Sequence, residues 1–77
     1  MTTYELIKSM PDAERERMVR ADIISDKWKR YIQIYEYWLE CIRQGEGKMD
    51  AYLLAGDKYF MNEDNVRKVV AMMRRQA

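Results

Sequence analysis

Histidine is absent from this 77-residue chain, cysteine and proline occur once each, and glycine occurs three times. Without imidazole there is no residue for the usual acid-base relays, for zinc sites that use histidine, or for triads that depend on it. The lone Cys41 can form neither an internal disulfide nor a thiolate metal cluster, and it suits a reducing, cytoplasmic setting. Gly45, Gly47 and Gly56 do not fall into a phosphate-cradling spacing. No apolar run approaches the roughly 20 residues of a membrane span. Excess charge is missing too, since 14 basic against 13 acidic side chains leave a net charge of +1. These shortages predict a chain that is not an enzyme, carries no metal or cofactor, and does not enter a membrane.

What remains is the composition of a folded module, with 48% hydrophobic and 35% charged residues. A chain of this size supports one domain, and a domain near 60 residues hides only about 60% of its unfolded surface, which leaves little interior for a deep substrate pocket. The apolar periodicity is helical almost throughout, which predicts an all-α bundle of four to five helices. A first helix is expected over Thr3–Ser9, with contacts from Tyr4, Leu6, Ile7 and Met10. Pro11 suits the first turn of a second helix running to about Ile24, and Asp12, Glu14 and Glu16 complement its positive end. Ser25 and Asp26 can cap a restart, the alternative being a single continuous helix through this point.

Residues 26–44 carry the most regular pattern. Trp28, Tyr31, Ile32, Tyr35, Trp38, Leu39 and Ile42 gather on one helical face and are expected to be the main core surface, with Trp28, Tyr31, Tyr35, Trp38 and Leu39 at its centre. Ile34, Tyr37 and Cys41 lie on a neighbouring face. That second face predicts a homodimer, or else cover from the N-terminal helices through Leu6, Ile7, Met18 and Ile23. Interleaved aromatic and basic residues are read as packing rather than a nucleic-acid stacking platform, and Glu36 with Glu40 as a solvated edge rather than a metal pair. Gly45 stands where a helix C-cap is needed, so residues 1–44 and 48–77 are two halves of one domain.

In residues 49–75 the spacing of Met49, Tyr52, Leu53, Gly56 and Phe60 predicts one apolar helix face. Asn62 stands as an N-cap with Glu63 and Asp64 in the following turn, and Val66, Val69, Val70 and Met73 face inward on the next helix. So short a break makes the two helices cross steeply. The run Lys58-Tyr59-Phe60, a hydrophobic Met61, Asn62-Glu63, Val66-Arg67 and Val69 resembles the helix-turn-helix DNA-binding family of small transcriptional regulators. In that resemblance Gly56 is the small residue at the helix crossing, Tyr59 and Met61 bracket the turn, and Val66 and Val69 are the inward pair of the recognition helix. Phe60 departs from the pattern, because the family often has Gly in the turn.

The resemblance implies a non-catalytic protein that reads the major groove of double-stranded DNA with residues 62–75. Asp64, Lys68, Ala71 and Arg75 project opposite the valines, flanked by Asn65, Arg67 and Arg74. Asn65 and Arg67 are suited to adenine and guanine edges, and Asp64 to a cytosine amino group or to pairing with Lys68 one turn on. Lys68, Arg74 and Arg75 suit phosphates, with Lys48 and Lys58 adding backbone contacts. A dimer would present two such helices to successive grooves about 34 to 36 Å apart. The alternative is a small helical protein-interaction module that uses the same geometry for packing alone. A continuous positive strip through Lys58, Arg67, Lys68 and Arg75 favours DNA, and a patchwork favours protein.

Overall fold

The computed structural model describes residues 1–76. Five helices follow one another, α1 (Thr3–Ser9), α2 (Asp12–Arg20), α3 (Trp28–Arg43), α4 (Lys48–Tyr59) and α5 (Glu63–Arg74). Among the described residues there is no strand, and one isolated bridge joins Thr2 to Gln76. The protein is an all-α bundle.

Helix α1 opens with a capping box, in which Thr2 Oγ1 accepts from the Glu5 amide and Glu5 Oε1 accepts from the Thr2 amide. It ends because Met10, preceding Pro11, is extended at φ −76° and ψ 135°. Pro11 is the N-cap of α2 rather than a residue of its first turn. That helix stops at Arg20, short of Ile24, because Asp22 turns left-handed at φ 59° and the Ile23 and Ile24 amides both fold back onto the Met18 carbonyl. Aspartate tolerates this conformation better than most residues, and no Gly or Pro announces it. Ser25 and Asp26 are not the cap of α3. Lys27 occupies that position without a side-chain cap, while Ser25 Oγ accepts from the Lys27 amide.

The end of α3 follows the expected pattern closely. Gly45 takes φ 98°, its amide donates to Ile42 O at 3.0 Å, and the Glu46 amide donates to Cys41 O at 3.1 Å. This is a Schellman closure.

Helix α3 packs on both α4 and α5, which also pack on each other, and α1 lies against α5. The core comprises Ile32, Ile34, Tyr35, Trp38 and Cys41 from α3, Ala51, Ala55 and Gly56 from α4, and Val66, Val69, Val70 and Met73 from α5, with Ile7 from α1 and Met10 just beyond it. Four aromatic rings run through it in series, Tyr4, Tyr35, Trp38 and Tyr52, with centroid separations of 4.9, 6.1 and 5.5 Å. Such pairs contribute about 0.5–1.5 kcal/mol beyond their area.

Three expectations about packing need correction. Ile34 is 0% exposed and Cys41 is buried, so the face expected to pair two chains is closed within one. The closing elements are α4 and α5, with Tyr37 set edge-on against Tyr59, and not the N-terminal helices, of which Ile7 alone is buried among the four residues named. Leu39 is 37% exposed and sits at the rim, because α3 turns its Ile34–Trp38–Cys41 side to α4 and α5. On α4 the buried face is Ala51, Ala55 and Gly56, of which only Gly56 was expected, whereas Met49, Leu53 and, just beyond the helix, Phe60 are exposed. Small residues allow close backbone approach where α4 meets two neighbours, and the longer side chains are turned outward.

Candidate nucleic-acid interface on the last helix

Three residues, Phe60, Met61 and Asn62, join α4 to α5. Phe60 takes the left-handed conformation (φ 57°, ψ 46°), and both its amide and that of Met61 donate to Gly56 O. A Cβ on Gly56 would stand 2.5 Å from the Met61 carbonyl oxygen, so glycine is what lets the turn lie against α4. Asn62 then caps α5, its Oδ1 accepting from the Asn65 amide at 2.9 Å. Arg30 closes the other side of the turn by donating from Nη2 to Tyr59 O at 2.7 Å, which satisfies a terminal carbonyl of α4.

With Val66, Val69, Val70 and Met73 buried, Asp64, Lys68 and Ala71 stand on the exposed side of α5. The cations are divided among several surfaces. Arg67 lies along α4, with its guanidinium 5.2 Å from the Tyr52 ring, Nη2 3.6 Å from the Met49 sulfur, and Nη1 3.5 Å from Asp64. Asp64 therefore pairs with Arg67, one turn on at the i+3 position, rather than with Lys68. Lys58 sits over Tyr37 at 4.4 Å on the α3 side, and Arg74 over Trp38 at 5.8 Å. Arg75 has left the helix, and its carbonyl accepts from the Thr3 amide at 2.8 Å and hydroxyl at 3.2 Å. Lys58, Arg67, Lys68 and Arg75 thus form a patchwork, not one strip, because aromatic rings on different edges draw the first two apart.

Of the expected residues, Asn65 and Lys68 come together. They line a cleft of about 540 Å³ with Lys27, Arg30 and Tyr31 from the start of α3, over Met61, Val69 and Met72. Lys27 and Arg30 had no signal in the sequence, since they lie about thirty-five residues before Asn65 and only the tertiary crossing of α3 over α5 joins them. Comparison with protein-family models, curated proteins and solved structures found no match.

Elsewhere the polar chemistry is structural. The Tyr4 hydroxyl donates to Glu36 Oε2 at 2.6 Å, and this bond to a carboxylate, followed by burial, pushes its pKa up to about 12. Arg15 donates to the Ile7 and Met10 carbonyls at the end of α1, pairs with Asp12 at 2.7 Å, and stacks on Trp28 at 4.5 Å. Among the described residues no group of three or more Cys, Asp or Glu is placed to hold a metal ion, and no helix is long and apolar enough to cross a membrane.

Proposed function

We propose that the protein binds double-stranded DNA without catalysis, in the manner of a small transcriptional regulator, by setting α5 in the major groove. The observation that carries this reading is the α4–α5 junction. Gly56 is in backbone contact with the turn, Asn62 caps α5, and the valines face in, so that Asn65 and Lys68 stand outward on the first turns of the helix. The first turns of such a helix are the part that reaches base edges, and asparagine suits adenine N6 and N7. Lys68 is suited to phosphate.

A fluorescence-anisotropy titration of a labelled duplex, followed by selection of bound sequences from a random pool, tests the proposal. Binding is expected to weaken steeply with salt, and Asn65→Ala is expected to relax one base preference, a discrimination of about 1–3 kcal/mol. Absence of binding at low salt overturns it.

The second reading, a protein-interaction module, is favoured by the dispersed cations and by Phe60. This side chain is 95% exposed at the tip of the turn.

A further inference from the structure

We infer that Lys27, Arg30 and Lys68 form a clamp for the phosphodiester backbone of duplex DNA, immediately beside the base-reading Asn65. The inference rests on the DNA-binding reading and adds to it a contact surface from α3, outside the α4–α5 unit. Its basis is that these three cations line one cleft, whereas Arg17, Arg20, Lys48 and Arg75, which also form no ion pair among the described residues, do not line it. Lys8, Arg15, Arg43 and Arg67 are each paired with a carboxylate, and Lys58 and Arg74 sit over aromatic rings. Lys27, Arg30 and Lys68 are exposed, form no ion pair among the described residues, and line one cleft whose lining contains no acidic residue. Three cations held near one another without a counter-charge repel, and an anion relieves that repulsion.

The geometry suits a diester in a polymer. The cleft is about 540 Å³ and runs between the start of α3 and the first turns of α5. Its apolar floor of Tyr31, Val69 and Met72 offers contact to a sugar, and its rim offers donors to phosphate oxygens. Arg30 is the fixed point. One nitrogen is spent on Tyr59 O, which orients the guanidinium and leaves its remaining N–H donors for an anion. Lys27 and Lys68 are point charges on flexible stems at either side of the cleft. With the backbone held there, Asn65 on the same lining faces the adjoining groove.

The test uses the full chain and a labelled mixed-sequence duplex, with anisotropy titrations across a salt series. The variants are Lys27→Gln with Lys68→Gln, and Arg20→Gln as a control that removes an exposed cation at the end of α2. Each lost phosphate contact reduces the slope of log affinity against log salt by about 1, so the double variant is expected to lose about 2 and the control none. Circular dichroism is expected to be unchanged, since both lysines are exposed and neither side chain forms an ion pair or hydrogen bond among the described residues. A parent that binds while the double variant keeps its slope and affinity overturns the clamp and leaves the DNA-binding reading standing. A parent that binds no duplex at low salt overturns both.

Discussion

A methyl group added at Gly56 would lie 2.5 Å from Met61 O, 3.6 Å from Met61 C and 3.7 Å from Asn62 C, where Cβ atoms essentially never come closer than 3.0 Å to another atom. Two opposing effects decide the outcome of Gly56→Ala. Alanine is favoured over glycine inside a helix by about 1 kcal/mol, partly because the unfolded chain loses freedom. Against that, overpacking costs about 1–3 kcal/mol where side chains can shift. Here the obstacle is a backbone carbonyl, on a residue whose amide is bonded to Gly56 O and which stands one residue before the Asn62 cap, so relief requires the turn and α5 to move by at least half an ångström, the difference between the observed 2.5 Å and the 3.0 Å limit. The upper part of the range therefore applies, and the net loss is about 1–2 kcal/mol. For a domain whose total stability is of order 0.05–0.15 kcal/mol per residue this is a large share, and it lowers the thermal midpoint by about 4–8 °C per kcal/mol. Urea unfolding followed by tryptophan fluorescence measures it. A variant that unfolds at a higher urea concentration than the parent would refute the reasoning, since helix propensity would then have won.

Two further outcomes follow from the packing and the hydrogen bonds. Ile34→Ala, at a fully buried site, is expected to cost about 2–5 kcal/mol in chemical denaturation, whereas Leu39→Ala at the rim costs about 1 kcal/mol; equal losses would contradict the assignment of the core side of α3. The Tyr4 pKa is raised in the folded state from 10.0 to about 12, so its contribution is fully present below pH 10 and is lost as pH rises toward 12. The stability difference between parent and Tyr4→Phe, measured by urea titration, is thus expected to be constant up to pH 10 and to shrink above it; a difference that grows would reverse the sign of the linkage.

Local signals in the sequence translate well where one residue type has one structural use. Gly45 ends α3 left-handed, Asn62 caps α5, and the 3,1,3 spacing of Val66, Val69, Val70 and Met73 is the buried face of α5. The pattern fails where the choice between faces is made by neighbours. On α4 the expected face holds at Gly56, which is buried, but Met49 and Leu53 are exposed, because a helix wedged between two others needs small residues inward and Ala51 and Ala55 join Gly56 there. Similarly, Leu39 lies at the rim because α4 and α5 pack on the adjoining face of α3, and the end of α2 at Asp22 is a left-handed turn with no glycine to mark it. The cleft of Asn65 and Lys68 with Lys27 and Arg30 was half visible. Periodicity places the first two on one side of α5, while the other two become neighbours only through the crossing of α3.

Helix α2 buries none of its residues, and its attachment rests largely on Arg15, whose guanidinium is shared among the Ile7 and Met10 carbonyls, Asp12 and the face of Trp28. Stability in such a molecule is graded rather than uniform. Releasing α2 exposes little apolar surface and breaks one charged node, while α3, α4 and α5 retain their common interior, so the amides of residues 12–20 open at a free energy far below that of global unfolding. Hydrogen exchange is accordingly expected to be faster at the amides of residues 12–20 than at those of α3, α4 and α5.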